Sequence, residues 1–358
     1  MADLVKGSVL FFNLYDVAEE IKLDRVRELL GARPQERVFK HAAPEYVRFE
    51  RPPVIETIGV EGLVTPSAIG QVKYYDYGVI SVLFELPIAA TWDEIVEMAA
   101  RWMSGSEFEA AALRVVKDKC RNVESALVRS YPNWLNEDYF VFQFNEVPGA
   151  PTATEFLKIH RGDIARIVRA ETAPLSVEEQ NEITQSFISY YPNDLVVIGW
   201  NAAVIYDTPA GAQTAIQLLE YANSQLLEFR YYDEMLSREL AGVYAFLKSR
   251  GGLLGRWKRQ KEARHLQYVT VEVTELVEHV DNSIKFLSDM FSARLYRLAA
   301  AKVGVPDYKS LVNQKLHTAD ELYRSLVEEY QTSRGFLLEV LVVIILLIEL
   351  AMLFRGNG

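Results

Sequence analysis

The chain has 358 residues, of which 24% are charged and 50% belong to the broad hydrophobic set, and its formal net charge is −11. This length predicts about two structural units, each with a sizeable core, and the composition excludes a chain that is mainly disordered. The acidic pI near 5.2 argues against a protein whose whole surface binds nucleic acid, although it leaves room for a local basic patch. The single cysteine, Cys120, excludes an intramolecular disulfide and a thiolate metal cluster.

Short strands and helices alternate over the first 208 residues, which predicts an α+β domain. Apolar runs predict strands at 8–14, 69–77, 79–86, 139–144, 195–200 and 202–206, and Gly78 divides the second and third of these. Capping-box patterns at Thr91 and Ser176 predict the starts of two helices, and YPNWLNED at 131–138 is typical of a turn. Asp207 to Gly211 marks the predicted end of the domain.

Long helical patterns follow Gly211, with apolar residues spaced alternately three and four apart. They predict one helix over about 216–247, a second over 266–298 that ends before Gly304 and Pro306, and a third from about 308. The prediction for 212–335 is an antiparallel, coiled-coil-like stalk of three helices. Its apolar seams also predict a homo-oligomer.

The segment 336–354 reads FLLEVLVVIILLIELAMLF, which as a helix matches the thickness of a bilayer core. It predicts a transmembrane helix, and a helix buried in the stalk is the alternative. Glu339 and Glu349 interrupt it, each near one end. Arg334 and Arg355 lie at its flanks, and the excess of basic residues on the amino side predicts that the bulk of the chain is cytoplasmic, with a short tail at 355–358.

A basic segment, defined here as residues 248–264, lies between the first two predicted stalk helices and carries seven basic residues against one acid. Its candidate contacts with a membrane or with phosphate are Arg250, Leu253, Leu254, Arg256, Trp257, Lys258, Arg259, Lys261 and Arg264. Leucines and a tryptophan among basic residues favour contact with anionic lipid. Contact with ribosomal or other RNA phosphates and a merely solvated turn remain alternatives.

Three stretches resemble a known family: LLEFRYYDEMLSREL, TADELYRSLVEEYQTSRGFLLEVLVVIILLIEL and the strand pair DLVVIGWNAAVIYD. The family is named for a yeast protein required for meiotic nuclear division, and it has a mitochondrial branch. The resemblance implies an α+β domain, long helices and a C-terminal membrane segment. For the mitochondrial branch it implies support of translation and oligomers at the inner membrane. It carries no catalytic residue.

Signals for an enzyme are weak. The sequence has no Walker lysine loop, no HExxH and no GxSxG, so no catalytic, cofactor-binding or metal residue and no small-molecule substrate is predicted. Glu275 and His279 are spaced i, i+4 where a carboxylate-bridged metal site in a bundle needs i, i+3. N-terminal aromatic residues, Tyr190 and Tyr191 among them, could line a groove, but core packing is the simpler expectation.

The predicted function is therefore that of a tail-anchored scaffold. It would present the α+β domain at the cytoplasmic face of the cell inner membrane, or on the matrix side in a mitochondrion, with a ribosomal or RNA association. The alternative is a membrane-tethered RNA-binding protein or an enzyme of unknown reaction.

Overall fold

A computed structural model describes residues 4–31, 47–49, 51–60, 68–248, 255–282, 284–286 and 290–356. The chain divides into two compact units. Unit 1 comprises Met1–Tyr231 and Glu278–Lys309, and unit 2 comprises Tyr232–Val277 and Ser310–Gly358. Each is described separately below.

Unit 1 is built on an eight-stranded sheet in the order β3-β4-β5-β1-β6-β9-β8-β7. Neighbouring strands are antiparallel except β6 and β9, which are parallel. A second sheet pairs β2 with β10. The strands are β1 (Val5–Ile21), β2 (Val47–Phe49), β3 (Val54–Ile58), β4 (Ile69–Tyr74), β5 (Val79–Ala90), β6 (Leu127–Glu146), β7 (Phe187–Ile188), β8 (Leu195–Ile198), β9 (Ala202–Tyr206) and β10 (Ile284–Phe286).

The helices follow the same chain order. They are α1 (Leu23–Leu29), α2 (Trp92–Ser104), α3 (Glu107–Asn122), α4 (Ala153–Ile159), α5 (Arg161–Arg169), α6 (Val177–Thr184), α7 (Pro209–Lys248), α8 (Gly255–Asn282), α9 (Met290–Val303) and α10 (Val305–Gly356). The expected α+β domain followed by helices is confirmed.

The central strand β1 is covered on both faces, which explains its near-continuous apolar sequence. Val9 and Phe11 belong to a core that also contains Ile95 of α2, Phe108 of α3 and Ile164 of α5. The opposite face of the sheet contacts α7 through side chains of β4, β5 and the turn between them. Helices therefore cover the sheet on two sides.

Local chemistry explains several boundaries. The Thr91 side chain accepts the Glu94 N–H while the Glu94 carboxylate accepts the Thr91 N–H, so the predicted capping box forms. Gly78 lies in the turn between β4 and β5 with φ +98°. A Cβ there would lie 1.8 Å from the Ala18 carbonyl oxygen, so only glycine fits. The predicted division at Gly78 is a hairpin.

Unit 2 contains the second part of α7, most of α8 and the rest of α10. Its buried cluster joins Leu240 and Val243 of α7, Ala263 and Leu266 of α8, and Leu326 of α10. The leucines and the valine occupy apolar positions of the heptad-like pattern, so the apolar faces of the three helices are buried against each other within one chain.

Two elements differ from the sequence prediction. The second stalk helix is interrupted, because α8 ends at Asn282 and Ile284 lies in β10, paired with Phe49 of β2. Residues 131–138, predicted as a turn, belong to β6, where Asn136 pairs with Tyr15 of β1. In both cases pairing with a distant strand outweighs the local pattern.

The predicted transmembrane helix is contradicted. Across the part of the chain whose side chains are described, none of the helices combines the length and apolar character needed to cross a membrane. This finding overturns the tail anchor, the membrane scaffold and the inner-membrane location.

Candidate functional site

Residues 218–229 of α7 are buried on every side, although several of them are polar. Five polar side chains between 220 and 228 have almost no exposed surface: Glu220, Asn223, Ser224, Gln225 and Glu228. Because a buried polar group is costly without a partner, each of them needs one. Together with the groups that face them from the sheet they form what we call the polar seam.

One end of the polar seam is a buried ion pair. Lys73 of β4 and Ser81 of β5 are directly opposed across the strand pair, so both side chains project from the same face. The Lys73 ammonium pairs with Glu220, and Ser81 Oγ donates to Glu220 Oε1 at 2.6 Å. Burial, and secondarily the charge of Glu220, raises the pKa of Tyr75 well above its usual range. Both oxygens of Glu220 are thus occupied.

Hydroxyl and amide groups continue the polar seam along α7. Tyr77 and Ser224 share a hydrogen bond of 2.7 Å. Tyr221 donates to the Val280 carbonyl oxygen at 3.0 Å, and Gln225 donates to the Tyr221 hydroxyl at the same distance. Tyr296 of α9 donates to Gln225. These contacts hold the end of α8 and the helix α9 against α7 within unit 1.

The other end of the polar seam holds two carboxyl groups. Asp16 of β1 is 1% exposed, and in the described part of the chain neither of its oxygens has a hydrogen-bond partner. Burial raises the pKa of Asp16 well above its usual range, and the nearby charge of Glu228 raises it further. Burial also raises the pKa of Tyr131, and the charges of Asp16 and Glu228 add to this shift.

Arg230 supplies a positive charge two residues beyond Glu228, and it pairs with Glu137 of β6. Burial nevertheless raises the pKa of Glu137, since the opposing effect of Arg230 is smaller. Arg230 is therefore already engaged.

A histidine joins α8 to the turn between β4 and β5. His279 Nε2 lies 3.0 Å from Asp76 Oδ2, and Arg51 approaches the same carboxylate at 3.9 Å. The hydrogen bond to Asp76 is the main reason that the pKa of His279 is raised. His279, considered in sequence as a metal ligand with Glu275, serves as this contact. No group of three metal-ligating side chains occurs among the described residues.

The geometry of the polar seam supports a structural role, in which its contacts hold α7 in position on the sheet. Most of its donors and acceptors bind each other beneath α7, whereas the Asp16 carboxyl has no hydrogen-bond partner among the described residues. A cleft of about 480 Å³ lies elsewhere, between β3 and α3, lined in part by Glu56, Arg114 and Lys119. Glu56 there accepts hydrogen bonds from Lys119 and from the Tyr74 hydroxyl. A nucleophile paired with a base does not occur among these lining residues.

The basic segment falls at the junction of α7 and α8. Arg250, Leu253 and Leu254 lie outside the described residues, as do the side chains of Arg256, Trp257, Lys258 and Arg259. The backbone of 255–264 is the start of α8, and Lys261 and Arg264 are exposed. The flanking residues Arg334 and Arg355 lie within α10, with side chains outside the described set, as are those of Glu339 and Glu349.

Cations at the start of α8 occupy an unusual position. A helix N-terminus is the positive end of the backbone dipole, and a cation there costs about 0.3 to 1 kcal/mol instead of stabilising the helix. The first turn of α8 contains no acidic residue. Arg256 and Lys258, in this first turn, therefore add to the positive potential of the helix end, and Arg259, Lys261 and Arg264 follow within the next two turns.

Two tyrosines differ from the other N-terminal aromatic residues because their side chains are exposed. Phe11, Tyr74 and Tyr77 are buried, as expected for core packing, whereas Tyr190 and Tyr191 are each 63% exposed.

The polar seam was missed by sequence reasoning, although the polar run EYANSQLLE inside an apolar helix was the available signal.

The family comparison covers the sheet and its helices. The family described as Uncharacterized protein MJ0711, N-terminal domain, matches residues 6–213. The chain belongs to this family. The MJ0711 N-terminal domain therefore supplies the strand side of the polar seam, and the match ends in α7 before Glu220.

A relative with the same description is the Uncharacterized protein MJ0711 of Methanocaldococcus jannaschii. It is 22% identical over 214 residues, which are 60% of this chain and 65% of that protein. The chain thus matches less than two thirds of the length of this relative. No solved structure matches the chain. The comparisons do not confirm the name of the yeast meiotic family.

Proposed function

We propose that this chain is an interaction protein that binds RNA through its basic segment, with phosphate groups as the contact. The observation that carries the proposal is the position of Arg256 to Arg264 at the start of α8. If these residues served only to neutralise helix ends, they would belong at the C-terminus of α7, where cations are favourable.

Phosphate suits this location for three reasons. The free N–H groups of a helix N-terminus bind anions, and the backbone dipole favours them. Arginine binds phosphate oxygens with two parallel hydrogen bonds. Trp257, within the same segment, offers a ring on which a base can stack. Metal ions and neutral small molecules have no comparable attraction to a surplus of cations.

The resemblance to the yeast-named family supports the same ligand class. We propose that the chain is a distant member of that family. The resembling stretch 226–240 lies on α7, directly before the basic segment. The mitochondrial branch of that family is associated with support of translation, which favours RNA or a ribosome as the partner.

Charge reversal tests the RNA site. Replacing Arg256, Lys258, Arg259 and Lys261 by glutamate is expected to weaken binding of an unstructured 30-nucleotide RNA at least roughly tenfold at about 100 mM salt. Removing four phosphate contacts should also reduce the slope of log affinity against log salt by about 3. Fluorescence anisotropy over a salt series measures both quantities.

A matched control carries the same charge change elsewhere. Lys22, Arg101, Lys117 and Lys158 are exposed side chains of unit 1, and their replacement by glutamate should leave most of the RNA affinity. Vesicles with and without anionic lipid form a separate arm. Equal losses in the two variants, or loss of vesicle binding with RNA binding intact, would overturn the RNA proposal.

We also propose that copies of this chain associate through α10. The apolar residues of the heptad-like pattern, such as Leu240, Leu266 and Leu326, are already buried within one chain, so they are not available to a partner. Seven consecutive aliphatic side chains at 342–348 are each between 47% and 59% exposed, and consecutive residues occupy every side of a helix. A second copy would remove this surface from water.

Replacing Ile344 and Leu347 by glutamate is expected to convert the oligomer to a monomer, because charged side chains cannot be buried between aliphatic helices. Light scattering after gel filtration gives the mass. Glutamate at the exposed positions Ser310 and Ser325 is the control and should leave the mass unchanged. A monomeric mass for the unmodified chain would contradict the proposal.

A further inference from the structure

We propose a second nucleic-acid site in unit 1, along the outer face of α9, where a single strand places bases on exposed aromatic rings and phosphates on two arginines. Its residues are Tyr190, Tyr191, Trp200, Arg294 and Arg297, which we call the aromatic–arginine strip. The inference rests on the proposed function for the class of ligand, but its residues and its argument are independent of the basic segment.

Tyr190 and Tyr191 form the first end of the strip. Their rings are 4.7 Å apart and nearly perpendicular, and Tyr190 also meets Phe291 of α9 at 5.0 Å between ring centroids. The Asp194 carboxylate accepts the backbone N–H groups of both tyrosines, at 2.7 and 2.8 Å. The exposed rings are therefore held in place before a ligand arrives, which lowers the entropy cost of binding.

Trp200 forms the second end, in the turn between β8 and β9. Its side chain is 55% exposed. A Cβ on Gly304, directly after α9, would lie 3.4 Å from the indole ring, so the ring lies beside the C-terminal end of that helix. From Phe291 to Gly304 the helix rises about 20 Å. Aromatic side chains thus flank α9 at both ends.

Arg294 and Arg297 lie between these ends. Leu295 and Ala299 are buried on the inner side of α9, while both arginines are exposed. Arg294 follows Phe291 by one turn and Arg297 follows by another, so the charges continue the line that begins at Tyr190.

Neither guanidinium group forms an ion pair with another described residue. Among the described residues no carboxylate lies within 4.0 Å of either, although Lys302 on the same helix is 3.8 Å from Glu182. Arg297 Nε donates to the Ala293 carbonyl oxygen at 3.2 Å, which leaves its terminal nitrogens for a ligand. In a chain of net charge −11, two cations with no ion pair among the described residues, beside exposed rings, are complementary to a polyanion.

A single strand fits these groups better than a duplex or an acidic protein segment does. Stacking on tyrosine and tryptophan needs bases that are free of their own partners, and phosphates supply the negative charge for the arginines. An acidic peptide would satisfy the arginines but would leave the three exposed rings without a matching surface. The strip should therefore bind short single strands with little sequence preference.

The test compares two fluorescein-labelled 12-nucleotide RNAs, oligouridylate and an abasic strand with the same phosphates. The intact chain should bind oligouridylate more tightly than the abasic strand. The variant Tyr190→Ala/Trp200→Ala should lose most of that difference, with roughly tenfold weaker binding of oligouridylate. The variant Arg294→Gln/Arg297→Gln should weaken binding of both strands.

Arg114→Gln/Arg121→Gln is the matched control, because Arg114 Nε donates to the carbonyl oxygen four residues earlier just as Arg297 does. This control should bind like the intact chain. Circular dichroism establishes that each variant is folded. A labelled 12-residue polyglutamate that binds as well as oligouridylate, and loses binding with the Arg294→Gln/Arg297→Gln change, would overturn the single-strand proposal in favour of an acidic protein segment.

The two RNA proposals fail separately. Reversal of the basic segment should weaken both strands and preserve the part of the preference for bases that depends on Tyr190 and Trp200. If the strip variants bind like the intact chain while that reversal abolishes binding, the strip is overturned alone. If only the strip variants lose binding, the basic segment is overturned alone. A chain that binds neither strand overturns both.

Discussion

Replacing Lys73 by methionine is expected to lower the free energy of unfolding by about 3 to 5 kcal/mol. Lys73 and Glu220 are both buried, and Ser81 donates to the same carboxylate. Methionine keeps the length of the side chain but leaves Glu220 as a buried anion without its cation. For unit 1, this loss should lower the melting temperature by about 10 °C.

A surface pair provides the comparison. Lys6 and Glu146 lie 2.6 Å apart, but their side chains are 56% and 65% exposed. Lys6→Met should therefore cost less than about 1 kcal/mol. The double variant Lys73→Met/Glu220→Leu should recover much of the stability that the single change loses, because no charge stays buried. Urea unfolding measures all three, and equal costs at Lys73 and Lys6 would show that the buried pair is unimportant.

Replacing Asp16 by asparagine is expected to stabilise the chain above the usual pKa range of aspartate. Burial and the charge of Glu228 raise the pKa of Asp16 in the folded state, whereas the unfolded chain titrates near 3.9. Between those two values the folded state binds more protons, so its stability falls as pH rises through the interval. Asparagine cannot ionise, so it removes the buried negative charge beside Glu228.

Thermal unfolding at several pH values tests this sign. The advantage of the Asp16→Asn variant should be largest at pH 8 and shrink as pH falls to about 3, below the ordinary pKa of aspartate, where Asp16 is mostly protonated in both states. Asp24→Asn is the control, since the Asp24 side chain is 96% exposed. A variant that is less stable than the unmodified chain at pH 8 would contradict the burial of an unfavourable charge at this position.

Local signals predicted the elements that local chemistry controls. Thr91 and Glu94 each accept a hydrogen bond from the backbone N–H of the other at the start of α2. The Ser176 side chain accepts the N–H of Glu179 at the start of α6. Gly78 divides β4 from β5 because the turn needs a positive φ. The apolar pattern after Gly211, which alternates three and four residues apart from one gap at Asp233, predicted the long helix α7.

Predictions failed at two segments whose conformation depends on pairing with a distant strand, and at the predicted membrane span. Residues 131–138 carry turn-forming residues, yet Asn136 pairs with Tyr15 on β1. Ile284 fits a helical seam, yet it pairs with Phe49 on β2. The segment 336–354 reads as a membrane span, yet the helices of the described residues include no such span.

The candidate site shows the same division. The charge surplus of the basic segment is visible in the sequence, because a net charge needs no neighbour to be counted. Its position at the start of α8, where cations are unfavourable for the helix, needed the helix boundary. The aromatic–arginine strip needed more, since Tyr190, Trp200 and Arg297 are far apart in the chain.

The sequence by itself determined the α+β class of the N-terminal domain, the helices that follow it, and the concentration of positive charge between two of those helices. These features depend on periodicity, caps and charge, which act over a few residues. The tertiary structure alone decided which polar side chains are buried and paired. The partners Lys73 and Glu220 are brought together by the packing of α7 on the sheet, and no local pattern encodes a contact over that separation.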